Sequence, residues 1–363
     1  MISVYIHIPF CETICSYCDF CKFYYHKPWV SKYIKALEKE IKKNYNNERI
    51  KTLYIGGGTP TSLDVQELKD LFCVLKNLHL SSNVEFTVEC NIENLTEEKL
   101  KLFYQNKVNR LSIGVQTVNS KFLTFLERHH TKEEVISKIE LAKKIGFKNI
   151  SVDLMYGFED QTLEDVSKDV DFLLHQNIPH ISCYSLMIEP HTKLYGKVNP
   201  IDEELDEEMF NLIDQKLKEQ GYIHYETSNF AKKGFLSNHN LTYWNNQEYY
   251  GFGLGASGYV QNIRYENTTN LKKYLEGNYR KEEHLVEKKE QIENEFILGL
   301  RKKEGISKEE FQKKYHKDIT DIKNVCLLLK KGYLEEDQNN IFIPEKYRYV
   351  ANEILIYFID MEV

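Results

Sequence analysis

Through its first half the chain alternates short apolar runs, rich in β-branched and aromatic residues, with longer segments whose apolar positions recur at helical spacing. Residues 3–8 ("SVYIHI") predict a strand, and residues 29–44 a helix with a solvated Lys/Glu face. Further strands are predicted at 51–55, 84–89, 110–115, 150–156 and 180–186. Helices near 65–78, from 96, at 131–145 and at 162–175 fill the intervals. Thr131 with Glu134 makes a capping-box start for one of them. Six strand–helix units with short loops predict an α/β fold of parallel strands joined by right-handed crossovers. Periodicity leaves both a partial barrel and an open doubly wound sheet standing. In either, chemistry gathers where strands end and helices begin. There stand the cysteine loop 11–18, the glycine turn 56–60, Glu89, Gln116 and Asp153.

After about Tyr184 the alternation fades. An amphipathic helix is stopped by Gly221, and a Gly- and aromatic-rich stretch follows, "SNHNLTYWNNQEYYGFGLGASGYV". From about Glu283 the chain reads as helical and charged. It is punctuated by Gly305, a Ser307–Glu310 capping box and Gly332, with a short strand "IFI" at 341–343 before a last helix. The expected organisation is a barrel-like unit at 1–230, a connecting segment at 231–282 and a small, mainly helical, winged-helix-like domain at 283–363.

Composition narrows the function classes. At 42% hydrophobic residues the chain has enough apolar material for a large core, and its net charge of −7 supplies no general attraction for nucleic acid. The acidic "YLEEDQNN" argues the same for the winged-helix-like tail. No apolar run approaches the length of a membrane-spanning helix, and "MISVYIHIPF" lacks the marks of a signal peptide, so a cytoplasmic protein is expected. In a reducing compartment eight cysteines are no disulfide framework. Cys73, Cys90, Cys183 and Cys326 lie singly among apolar neighbours and read as buried structural thiols.

Cys11, Cys15, Cys18 and Cys21 are different, because their spacing points to metal ligation. Structural zinc uses four closed ligands, usually in two knuckles far apart in sequence, and no second pair follows here. An iron–sulfur cluster fits better, since thiolates from one loop can hold separate irons. "CETICSYC" is C-x3-C-x2-C, with Tyr17 before the third cysteine, and resembles the cluster loop of the radical S-adenosylmethionine (SAM) enzymes. The resemblance implies a partial (β/α)6 barrel. It also implies a [4Fe–4S] cluster on Cys11, Cys15 and Cys18, with the fourth iron chelating the amino and carboxylate groups of S-adenosylmethionine. "GGGTP" resembles the turn that receives the cofactor's amino group, with Gly57, Gly58 and Thr59 its expected contacts. Tyr5, Glu89, Gln116, Arg128 and Asp153 match further cofactor positions of the porphyrin-handling members.

"YIHIPFC", "GGGTPT", "RLSIGVQ", "DLMYGF" and "EFILGLRKKEGI" together resemble the oxygen-independent coproporphyrinogen III oxidase family over nearly the whole chain. One branch is the decarboxylating enzyme, which has a fourth cysteine where this chain has Phe20 and a longer segment ahead of its cysteine loop. The other is the HemW-type haem chaperone branch, marked by Cys-Asp-Phe, as in Cys18, Asp19 and Phe20, and by H-N-x-x-Y-W, as in "HNLTYW" at 239–244. That branch implies haem as cargo, delivery to recipient haem proteins and a homodimer, with His239, Asn240, Tyr243 and Trp244 as expected haem contacts. Read alone, a histidine among aromatics is a hydrogen-bonded structural residue. His129, His130 and His191 are competing imidazoles, and Cys21 is expected to be a bystander.

Overall fold

Alternation along each strand separates an apolar face from a polar one. In β1 (Ile2–Ile8), Val4, Ile6 and Ile8 join the main core, while Ser3, Tyr5 and His7 face the other way and are engaged by polar neighbours. The computed structural model describes residues 1–361. β1 is followed by β2 (Ile50–Gly57), β3 (Leu80–Asn91), β4 (Arg110–Gln116), β5 (Asn149–Tyr156) and β6 (His180–Ser185), paired in parallel in that order. Helices α1 (Lys27–Asn44), α2 (Val65–Leu75), α3 (Glu97–Gln105), α4 (Ser120–Phe125), α5 (Lys132–Ile145) and α6 (Leu163–His175) occupy the crossovers. The Thr131–Glu134 capping box forms at the start of α5. This is the partial (β/α)6 barrel: its apolar face packs on the helices, and its inner face is lined by polar side chains.

Beyond β6 run α7 (Glu203–Glu219) and two short strands, β7 (Ile223–His224) and β8 (Asn229–Ala231), β8 lying antiparallel to β6. Helix α8 (Asn238–Trp244) follows. The stretch expected as a connecting segment then continues the sheet on its opposite edge. β9 (Tyr249–Phe252) pairs in parallel with β1, and β10 (Ser257–Val260), β11 (Ile263–Asn267) and β12 (Arg280–Leu285) add antiparallel strands outward. Among the described residues twelve strands thus form one sheet, in the order β12-β11-β10-β9-β1-β2-β3-β4-β5-β6-β8-β7. Close approach explains the glycines here: a Cβ on Gly251 would meet Ser257 O at 1.8 Å, and one on Gly258 the Tyr265 ring at 2.1 Å.

A second apolar cluster, from Ile292 to Met361, is built by α10 (Lys288–Gly299), α11 (Lys308–Tyr315), α12 (Lys323–Lys331) and α13 (Ala351–Leu355), preceded in the chain by the short α9 (Leu271–Leu275). The single strand expected here is the middle one of three, with β15 (Asn340–Phe342) between β13 (Ile306–Ser307) and β14 (Glu335–Glu336). Ser307 caps Glu310 N–H, and Gly332 ends α12 in the left-handed conformation. One expectation about thiols is corrected. Cys90 and Cys183 are buried, but Cys73 is exposed on the outer side of α2 and Cys326 is half-buried.

Candidate functional site

The C-terminal ends of the parallel strands form a mouth, and the chain between β1 and α1 lies across it. Cys11 ends a two-residue strand, Phe10–Cys11, that pairs in parallel with Phe23–Tyr24. The loop between them carries the other three thiols. The glycine turn after β2 packs directly beneath it: Gly58 N–H donates to Ile8 O at 2.9 Å, Thr59 N–H to Phe10 O at 2.9 Å, and the Thr59 hydroxyl to Cys11 Sγ at 3.4 Å. A Cβ on Gly58 would stand 2.9 Å from Pro9 C and 3.0 Å from Cys11 Sγ, and one on Gly57, where φ is +113°, would strike the His7 ring. These glycines therefore let the turn touch the cysteine loop itself. Ser16 ties the far side down through Phe125 O and Leu126 O, and Tyr17 packs with Phe122, Leu126, Met155 and Phe158.

Cys11 is buried, and that burial pushes its thiol up to about 11; Cys15 and Cys18 are half-buried. Cys21 packs toward the opposite wall, where a Cβ on Gly255 would meet its Cβ at 2.8 Å, and its carbonyl bonds His7 Nε2 at 2.7 Å. Among the described residues, no three His, Cys, Asp or Glu side chains group tightly enough for a single metal ion. Three thiols carried by one loop suit a cluster, whose separate irons spread their thiolates farther apart than one ion does.

The polar side chains below the mouth come from successive strands. Glu89 accepts from Tyr54 OH at 2.8 Å and Gly57 N–H at 3.0 Å; burial still raises its carboxyl to about 7. Asp153 is likewise raised, to about 6, by burial, against the pull of Arg110. Tyr5 donates to or accepts from His7 Nδ1 at 3.0 Å and packs beside Tyr54. Gln116 closes β4 at a register shift with φ of +69°, a strained geometry that turns it inward over Gly114. Arg128, buried after α4, donates to Gly114 O at 2.7 Å and to Glu93 at 3.1 Å, with Nη1 3.9 Å from Cys15 Sγ. Burial alone would raise Glu93, but His130 and the Arg128 charge hold it down at about 2. The expected cofactor residues thus converge around one mouth. His7, Asn91 and Glu93 went unnoticed. Only His7 left a signal, standing two residues from Tyr5 on the same strand face.

"HNLTYW" lies at the opposite end. Helix α8 closes the floor of the barrel: Glu85 accepts from the backbone N–H of Asn238 and His239 at 3.0 and 2.9 Å, and Thr242 bonds Ser3. His239 is 1% exposed, with Nδ1 2.8 Å from Thr52 Oγ1, Nε2 2.8 Å from Tyr243 OH, and its ring stacked on Tyr54 at 5.0 Å. His239, Asn240, Tyr243 and Trp244, the expected haem contacts, all lie on this helix. Both ring nitrogens are committed, Tyr243 serves His239, and Trp244 is half-buried beneath Arg301. His130 is also buried, against Glu93.

Residues 5–173 match the Radical SAM superfamily, and residues 286–349 match the HemN C-terminal domain. The heme chaperone HemW of Bacillus subtilis is 40% identical over 98% of this chain and 98% of its own length. HemW of Lactococcus lactis is 39% identical over 98% and 97%, and that of Escherichia coli 32% identical over 99% and 98%. The solved structure of E. coli coproporphyrinogen III oxidase, a radical SAM enzyme, superposes with a TM-score of 0.86 over 98% of this chain and 89% of that one. At 21% identity this is a likeness of fold. Full-length kinship and a cysteine-lined barrel mouth agree, and the chain belongs to the HemW family of radical SAM proteins.

Proposed function

We propose that this chain is a haem chaperone: it binds haem and passes it to recipient haem proteins, carrying a [4Fe–4S] cluster and S-adenosylmethionine at the barrel mouth. The observation that carries the reading is full-length identity of 40% to a heme chaperone HemW. Cys11, Cys15 and Cys18 would hold three irons. The glycine turn Gly57–Gly58 with Thr59, together with Tyr5, Tyr17, Glu89, Gln116, Arg128 and Asp153, would hold S-adenosylmethionine against the fourth. The chemistry such a cluster would supply, once bound and reduced, is an electron for the cofactor's sulfonium. The residues' own part is to position and to exclude water: Arg128 sets a positive charge beside Cys15, Glu89 fixes the turn through Gly57, and Phe122 and Phe158 wall Tyr17. Phe20, 68% exposed, and Tyr24, 59% exposed, give the cysteine loop an apolar rim suited to a flat hydrophobic cargo. Transfer to recipients, a homodimer and a cytoplasmic setting are the finer parts of the proposal; among the described residues no helix is long and apolar enough to cross a membrane.

The test is an anaerobic haem titration of the cluster-reconstituted protein, read at the Soret band. Saturable binding, with transfer to an apo haem protein, is expected. No saturable binding, combined with turnover of coproporphyrinogen III, would replace the chaperone by the decarboxylating enzyme.

A further inference from the structure

Between β6 and α7 the chain runs from 186 to 202 without a helix or strand, and irregular connections of that length in a compact fold usually serve function. This strap lies on the cysteine loop. Lys193 N–H donates to Ser16 O at 3.0 Å, and Lys193 Nζ donates to Ile14 O at 3.2 Å while pairing with Glu127. The same ammonium stands within electrostatic reach of Tyr24 and Cys15. Leu194 is buried, and Leu186 packs with Tyr17. The strap is thus a further wall of the mouth, beside the apolar rim.

One imidazole is held at the corner of a tight turn in this strap. Thr192 N–H donates to Glu189 O at 3.0 Å and the Thr192 hydroxyl to the same oxygen at 2.7 Å, closing a β-turn with Pro190 and His191 at its two corners. The fixed φ of Pro190 stiffens it. His191 is exposed, and among the described residues its ring has no hydrogen bond, ion pair or ring contact. Met187, 71% exposed, and Tyr195, 58% exposed, stand on either side of it in the strap and supply apolar surface, and Lys197 adds an exposed cation. The other imidazoles are placed differently. His7, His180 and His239 are buried with both ring nitrogens bonded. His26 packs edge-on against Trp29 at 4.9 Å. His129 borders a hollow behind Cys15 with Glu12, Glu93 and Glu127, carboxylates that an anionic porphyrin avoids.

We infer that His191 is the axial ligand by which the barrel mouth takes the iron of its cargo, the haem lying open along the strap with Met187 and Tyr195 against its faces and edge. The inference rests on the haem-chaperone reading and names the residue that ligates. A neutral imidazole nitrogen gives its lone pair to the iron while the other nitrogen keeps its proton, so nothing is oxidised or reduced. Lys197 offers the propionates a counter-charge. An open face, rather than an enclosed pocket, suits a cargo that has to be handed on.

Ferric haem and metal-free protoporphyrin IX, titrated separately into the cluster-reconstituted full-length protein and its His191→Ala variant, separate ligation from packing. The variant is expected to lose haem affinity by at least on the order of tenfold, the loss that removing a mere supporting partner causes at other metal sites, while protoporphyrin IX binds as before. The Soret band and the ferric EPR signals of the bound haem should shift, and added imidazole should restore them. Unchanged haem affinity and spectra in His191→Ala overturn the inference. So does equal weakening of haem and protoporphyrin IX, which would make His191 a packing contact. The same spectral loss in His26→Ala, His129→Ala or His239→Ala, with His191→Ala unaffected, would move the ligand and also overturn it. If the unaltered protein binds no haem at all, the chaperone reading fails first and takes this assignment with it.

Discussion

Cys21 stands three residues after Cys18, yet its side chain turns to Gly255 and away from the glycine turn that supports Cys11. One thiol of four is thus set apart by packing. Replacing Cys11, Cys15 and Cys18 together by alanine should abolish the visible absorbance of a reconstituted cluster, while Cys21→Ser should keep it. A cluster that survives the triple change, or that disappears in Cys21→Ser, would contradict the ligand set. Thiols, glycines and polar strand ends were legible because each falls a few residues from its own strand. Glu93 was not, because what marks it out is its partners from another segment of the chain, Arg128 and His130.

At the scale of elements, α8 is the least expected piece. It has only seven residues, so its own hydrogen bonds cannot stabilise it alone; tertiary contacts must. Glu85 provides them by accepting two backbone N–H groups and the Asn238 amide at 2.9 Å. Glu85→Ala should cost on the order of 2–3 kcal/mol, because it strands buried donors at the helix start. Denaturant unfolding checks this, and a variant as stable as the parent would remove Glu85 from that role. The same scale shows where periodicity fails. β12 reads "RKEEHL" and is exposed along nearly its whole length, so no apolar alternation marks it; its charges guard a sheet edge. β9 and β10 contain glycines that look like turn residues, but Gly251 makes room for the Ser257 backbone and Gly258 for the Tyr265 ring. The six barrel strands were readable because each is apolar on the face that meets the helices.

Across the whole molecule, the barrel and the C-terminal unit meet near Glu226, which is 2% exposed, bridges to the Lys302 backbone and has no well-formed hydrogen bond on either carboxylate oxygen, although Asn229 and Trp244 stand beside it. Burial raises this carboxyl from 4.5 to about 7. The folded chain therefore keeps a proton that the unfolded chain releases, and Glu226's contribution to stability falls as pH rises through that window. Glu226→Gln should be more stable than the parent near pH 8, by up to on the order of 2–3 kcal/mol, and nearly equal near pH 5. Urea unfolding at the two pH values checks the sign, and equal destabilisation at both would refute it.

β1 lies inside the sheet, flanked by β2 on one edge and by β9 on the other. The second flank, Tyr249–Phe252, leaves the ribosome long after the cysteines do, and Gly255, the wall behind Cys21, comes later still. The strand that carries the cysteine loop thus spends most of synthesis with one edge bare. A cluster loaded on that loop would have its full surroundings only once a segment far downstream has been made.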